Sequence, residues 1–149
     1  MKAPFATLLG IAFALAAPLA FPAQSPAPGP GMIVTRATAH TADEVVDAVK
    51  SYSEKRKWLF MGAMKVKNGE VTMVKVCIPS VGKVLWPAGL QMSALLPCGN
   101  LGLYRKGGQT EISMLHPSYM EVLYPSPDVE KAVKVATPLL MQMLDAVAK

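Results

Sequence analysis

Cys77 and Cys98 are the residues of this chain with the most distinctive chemistry, and a proline lies close to each of them. Pro79 follows Cys77 after one intervening residue, and Pro97 directly precedes Cys98. Because proline cannot donate a hydrogen bond to a sheet ladder, it tends to mark where a strand stops or starts. We therefore expect both thiols at strand ends, held by a rigid backbone.

Three roles are open for this pair of thiols. A structural disulfide would contribute about 3 kcal/mol by closing a loop of this size, and exported proteins meet the oxidising conditions that such a bond needs. Two separate buried thiols would behave as small apolar side chains. A reactive or ligand-binding pair is the third role, and strand alternation places Met73 and Lys75 on the face of Cys77, where a cation such as Lys75 favours the thiolate. If the two strands are antiparallel neighbours, the Cα separation can reach the roughly 4.4–6.8 Å that a disulfide requires. If they are parallel neighbours, the thiols lie at opposite ends of the sheet, and the sequence does not choose between the two directions.

A soft-metal or haem site would need more ligands than two sulfurs. His116 ends an alternating apolar run, so its imidazole could join Cys77 and Cys98 in a site suited to copper or haem iron. The more common role of a histidine before proline is that of an ordinary surface or core residue. Met61 and Met64 lie three residues apart in a predicted strand, so we expect them to face opposite ways and to fill the core. The sequence has no Cys-x-x-Cys-His motif, which excludes covalent haem attachment, and it identifies no other cofactor.

Motifs of the common hydrolytic enzymes are absent from the sequence. It contains no Gly-x-Ser-x-Gly nucleophile elbow, no glycine-rich phosphate loop and no His-Glu-x-x-His zinc motif. The sequence therefore identifies no catalytic residues and favours a protein that is not an enzyme.

Alternating apolar residues and turn signals predict the strands that would position the thiols. The predicted strands are Met32–Thr38, Trp58–Val66, Val71–Ile78, Leu101–Arg105 and Thr110–Leu115. Asn68-Gly69 and Gly107-Gly108 are hairpin signals, so the second and third strands, and the fourth and fifth, are predicted to be antiparallel pairs. An irregular helical crossover is expected between the third and fourth strands.

Two helix starts are marked in the sequence. Thr41 followed three residues later by Glu44 is a capping box, so a helix should begin near Ala42. Ser126-Pro127 before an acidic residue predicts the start of a long terminal helix. The order β-α-β-β-(α)-β-β-α indicates an α+β fold, with a mostly antiparallel sheet of about five strands packed against two main helices.

The first 31 residues have a composition unlike that of the remainder. Residues 1–23 have the basic start and apolar run of a signal peptide, and residues 24–31 form a Pro/Gly-rich linker. A single domain, residues 32–149, would then be periplasmic or secreted. The formal charge is +5, and the only basic cluster, residues 55–57, is interpreted as a solvated helix end rather than a nucleic-acid site.

The phrases Val76-Cys77-Ile78-Pro79 and Leu95-Leu96-Pro97-Cys98, each at the end of the crossover, resemble the family called domain of unknown function 302. The resemblance extends over the whole predicted domain. It implies a compact α+β sandwich that is often self-associated, and it implies no established reaction. That family commonly has asparagine after the first cysteine, where this chain has Ile78.

These observations predict a small exported binding or accessory module, with the region of Cys77 and Cys98 as its site. The alternatives are a thiol-disulfide redox protein and a soft-metal or haem carrier. The expected partner is an unidentified small ligand or a periplasmic protein rather than nucleic acid, and assembly into a homo-oligomer is a further candidate.

Overall fold

The computed structural model describes residues 30–95 and 99–149. The predicted signal peptide, all but the last two residues of the predicted linker, Pro97 and Cys98 lie outside the described residues.

The described elements follow the predicted order, with one additional short helix. The strands are β1 Ile33–Thr38, β2 Leu59–Val66, β3 Val71–Cys77, β4 Gly99–Lys106 and β5 Gln109–Leu115. The α-helices are α1 Ala42–Lys55, α2 Pro79–Leu85, α3 Tyr119–Leu123 and α4 Pro127–Val147. Short 3-10 turns cover Pro30–Met32, Lys67–Gly69, Trp86–Ala88 and Leu90–Ala94. The helical crossover is confirmed, whereas α3 was not predicted from the sequence.

The five strands form one sheet in the order β1-β5-β4-β3-β2, and all neighbouring strands are antiparallel. Both predicted hairpins are confirmed. The crossover returns the chain so that β4 lies directly beside β3, which answers the question of strand direction that the sequence left open.

Local hydrogen bonds fix the two main helices where the sequence predicts them. The Glu44 amide donates to Thr41 Oγ1 at 3.2 Å, and the Thr41 amide donates to Glu44 Oε2 at 2.7 Å, which completes the capping box of α1. At the start of α4, the Val129 amide donates to Ser126 Oγ at 3.3 Å, and Pro127 occupies the first helical turn.

The hydrophobic core lies between the helices and one face of the sheet. Helix α4 packs against α1 and α2, and α1 also contacts β2 and β3. The buried side chains of α4 repeat at helical spacing and are Val129, Ala132, Val133, Ala136, Leu140, Met143, Leu144 and Val147. This arrangement confirms the α+β class. Within the described residues, no helix is long and apolar enough to cross a membrane.

The helices leave the opposite face of the sheet uncovered by any described element. We call this surface the open face. Strands β3 and β5 alternate between buried side chains toward the helices and more exposed ones toward the open face. The open face is therefore where the sheet presents side chains that the core does not need.

Candidate functional site on the open face of the sheet

Strand β3 contributes the predicted chemical residues to the open face. Met73 and Lys75 are exposed and Cys77 is half-buried, whereas the intervening Val74 and Val76 are buried in the core. The predicted alternation in this strand is confirmed. Cys77 is a free cysteine in the structure, and its distance along β3 from Lys75 is two residues, or about 7 Å.

Two methionines of β2 also reach the open face. Met61 and Met64 are 58% and 61% exposed and line the same concavity, so the prediction that they face opposite ways and fill the core is wrong. The physical reason is a β-bulge: the pairing with β3 shifts by one residue between Phe60 and Gly62, which reverses the alternation after Met61. Gly62 has φ of 119°, a conformation that L side chains rarely adopt. An isolated glycine inside a predicted strand was the signal that could have revealed this bulge.

These side chains surround a concavity of about 410 Å³, which we call the methionine groove. Its side chains are Met61, Met64, Met73, Lys75 and Asn100. Met64 and Met73 are direct partners across β2 and β3. Lys75 lies between Gly62 and Asn100 in the next row of the same face. Side chains that are direct partners across antiparallel strands have Cβ atoms about 4.5–5.5 Å apart, so the two thioethers share one wall.

A second, smaller concavity of about 200 Å³ continues the groove across β4 and β5. It shares Met73 and Asn100 with the methionine groove, and Ile33 and Leu115 lie at its far side. Gly102 and Ser113 also line it, and a Cβ atom at position 102 would lie only 2.9 Å from Ser113 Oγ. Glycine is therefore the residue that fits beside the Ser113 side chain. These contributions were not predictable from the sequence, since they depend on which strands become neighbours.

Lys75 is the only charged residue among the described residues that line the two concavities. None of the ion pairs formed within residues 30–95 and 99–149 includes it. Asn100, its neighbour on β4, is exposed and carries an amide that can donate or accept. The groove thus combines apolar thioether walls with one positive charge.

An acidic residue, Glu111, lies elsewhere on the open face and is already partnered. The Tyr104 hydroxyl donates to Glu111 Oε1 at 2.6 Å, and Lys106 Nζ lies 3.1 Å from Glu111 Oε2. The hydrogen bond from Tyr104, followed by that from Lys106, lowers the pKa of Glu111 below its usual value. The same hydrogen bond raises the pKa of Tyr104. Glu111 is therefore an anion at neutral pH and is balanced by Lys106. It pairs with Tyr104, four residues along β4 from Asn100, which is the partner of Lys75.

Of the remaining predicted site residues, the structure describes Pro79 and His116. Pro79 begins α2 directly after β3, as expected for a residue that ends a strand. Cys98 and Pro97 lie outside the described residues, so the structure describes only Cys77 of the thiol pair.

His116 follows β5 and interacts with its own turn. Its Nδ1 lies 2.7 Å from Ser118 Oγ and accepts the Ser118 amide at 3.2 Å, while its own amide donates to the Met32 carbonyl at 2.7 Å. Strand β4 lies between β5 and β3, so the strand that His116 follows and the strand that Cys77 ends are about 10 Å apart. No group of three or more His, Cys, Asp or Glu residues in the described part of the chain could hold a metal ion.

Comparison with known proteins agrees with this architecture. A crystal structure of an uncharacterised conserved DUF302 protein from Bacillus stearothermophilus superimposes with a TM-score of 0.69 at 16% sequence identity. The match covers 79% of this chain and 98% of that protein, and at this identity it shows a shared fold. No curated protein matches the chain. The model of the domain of unknown function DUF302 matches residues 34–147, which include every strand of the sheet except the first residue of β1, and all four α-helices. The chain therefore belongs to the DUF302 family.

Proposed function

We propose that this protein is a small binding module that holds an apolar ligand in the methionine groove. The observation that carries the proposal is the combination of a 410 Å³ concavity with three exposed methionines on a sheet face that no described element covers. Ligand sites in proteins commonly measure about 300–1,000 Å³ and have mostly apolar linings with a few polar groups. Methionine suits such a site because its unbranched thioether adapts to ligands of different shape.

The lining of the groove favours binding over catalysis. Lys75 is its only titratable side chain among the described residues, so no partner for general acid-base chemistry lies beside it. Glu111, an acid elsewhere on the open face, is held by Tyr104 and Lys106. A site built this way orients a ligand but supplies no second group for proton transfer.

Nile red, a neutral apolar dye, tests this proposal on the purified protein. We expect its fluorescence to rise on binding, and Met73→Gln to weaken binding about tenfold, because burial of about 50 Å² of apolar surface contributes about 1.3 kcal/mol. Leu90→Gln is the matched control, since Leu90 is 81% exposed and lies outside both concavities. Loss of dye binding in Leu90→Gln but not in Met73→Gln would remove the groove as the site.

We propose further that the module works outside the cytoplasm. The support is the charged start, apolar run and small residues of residues 1–23, followed by a Pro/Gly-rich segment. Expression of the full chain with cell fractionation tests this. We expect a periplasmic or secreted product whose intact mass lacks the leader, whereas a cytosolic product of full mass would contradict export.

A second function, thiol-disulfide redox exchange, is supported by the register of β3 and β4. Their ladder runs from Val71 and Tyr104 to Val76 and Gly99, and the two cysteines are the next residue on each side. Antiparallel neighbouring strands allow the Cα separation of roughly 4.4–6.8 Å that a disulfide requires, which parallel neighbours would not. Cys77 is also partly accessible, as an exchanging thiol must be.

Alkylation followed by intact mass distinguishes the roles of the thiols. A redox pair should become alkylated in the native protein only after a mild reductant is added. A bond that resists the reductant until the protein is denatured would identify a structural disulfide instead. Two thiols that react without reductant would show that no bond forms.

A further inference from the structure

We infer that the ligand of the methionine groove is an amphiphilic anion, with its apolar part against the three methionines and its anionic group at Lys75. This inference rests on the proposed binding function and adds the chemical class of the ligand. Charge complementarity carries it: Lys75 is exposed, takes part in no ion pair within the described residues, and has no acidic neighbour in the lining of either concavity.

The rows of the sheet place the polar and apolar contacts side by side. Met64, Met73 and Gly102 are successive partners in one cross-strand row of the open face. Gly62, Lys75 and Asn100 are successive partners in the next row on the same face. A carboxylate at Lys75 can also accept a hydrogen bond from the Asn100 amide. The methionine row continues past Gly102 to Ser113, whereas Leu115 pairs with Ile33 at the far side of the smaller concavity. A hydrocarbon chain that starts at Lys75 can contact Met73 and then Leu115 and Ile33, which line one concavity.

The size of the concavity limits the ligand. A volume of about 410 Å³ is at the lower end of the range for small-molecule sites, and the adjoining concavity adds about 200 Å³ at its far end. This space suits a single medium-length acyl or aryl chain with one charged group. Gly62 and Gly102 lie on the strands that flank β3 and add no side chain to the two concavities.

The same charge argues against two other occupants. Three thioethers are a suitable ligand set for a soft cation such as Cu(I), but the ammonium of Lys75 in the same groove repels a cation. A second copy of the chain would bring its own Lys75 to the same apolar face, where burial of an unpaired charge is costly.

Decanoate and 1-decanol, compared below the micelle concentration of decanoate, test the inference through displacement of Nile red at pH 7. We expect decanoate to bind about fivefold more tightly, since a partly exposed ion pair contributes up to about 1 kcal/mol. Lys75→Met should remove the preference by weakening decanoate alone, and added salt should reduce it. Lys83→Met is the control, because Lys83 is an exposed lysine of α2 outside both concavities.

The outcomes separate the inference from the proposed function. If decanol and decanoate bound with equal affinity and Lys75→Met changed neither affinity, the inference of an anionic ligand would be overturned. The groove would remain an apolar site. If neither compound displaced Nile red while dye binding still depended on Met73, the inference of an amphiphilic anion would also be overturned. Stoichiometric displacement by Ag⁺ on thiol-alkylated protein would assign the groove to a soft metal. A dimer that excludes the dye and dissociates in Met73→Lys would overturn both proposals and assign the face to a second copy.

Discussion

Tyr104 and Glu111 show how single residues keep the charge of the open face localised. Their hydrogen bond, together with the ion pair to Lys106, keeps Glu111 ionised and away from Lys75. Because the pKa of Glu111 is lower in the folded protein than its usual value of about 4.5, the carboxylate stabilises the fold. That stabilisation is complete above about pH 4.5 and is lost as the pH falls through the lowered pKa.

Tyr104→Phe should therefore raise the pKa of Glu111. Lys106 remains nearby in the variant, so the pKa should still lie below the usual value. An NMR titration of the Glu111 side-chain carboxyl carbon measures the change, and Tyr124→Phe, an exposed tyrosine after α3, is the control. An unchanged pKa in Tyr104→Phe would show that the hydrogen bond has no effect in solution.

The limits of sequence-based prediction are clearest at Met61 and Met64. A regular strand would point them to opposite faces, but one bulge residue reverses the alternation and both side chains lie on the open face. In β3, where no bulge occurs, the same rule placed Met73, Lys75 and Cys77 correctly. The contribution of Asn100 and Gly102 to the groove depends on β4 lying beside β3, which no local pattern specifies.

At the scale of elements, helix starts and hairpins were predictable because their signals are local. The capping box of α1 and the serine cap of α4 lie within four residues of the hydrogen bonds that they form. The pairing of β1 with β5 joins residues about 80 positions apart in the sequence, such as Ile33 with Leu115, and was not predicted. Long-range pairing depends on the whole topology, which periodicity does not encode.

Helix α4 contains an exposed proline, Pro138, in its interior. Proline lacks the amide that would donate to the carbonyl four residues earlier, and its ring crowds that turn. We expect Pro138→Ala to raise the free energy of unfolding by about 1–3 kcal/mol, because the missing hydrogen bond of α4 can then form. Urea denaturation followed by circular dichroism measures this change.

The control for this prediction is Pro127→Ala at the start of the same helix. An amide at the first helical position has no intrahelical acceptor, so this substitution should change stability by only a few tenths of a kcal/mol. If Pro138→Ala were no more stable than the parent protein, the packing of α4 would have to depend on the proline ring itself.

At the scale of the whole molecule, the two faces of the sheet have different roles. The helix-covered face holds the buried residues that stabilise the fold, whereas the open face holds exposed methionines whose burial within one chain is incomplete. Large exposed apolar patches in folded proteins commonly mark sites of interaction. The division predicts that stability and ligand binding can be changed separately by substitutions only one strand apart.

Leu103→Ala and Met73→Gln test this division on neighbouring strands. Leu103 is fully buried on β4 toward the helices, so its truncation should lower the free energy of unfolding by about 2–5 kcal/mol. Met73 is 44% exposed on β3, so Met73→Gln should cost less than about 1 kcal/mol while it weakens Nile red binding. Urea denaturation and dye titration on the same samples provide both quantities. A Met73→Gln variant destabilised as strongly as Leu103→Ala would mean that the open face is part of the structural core, and that its methionines are there to support the fold rather than a ligand.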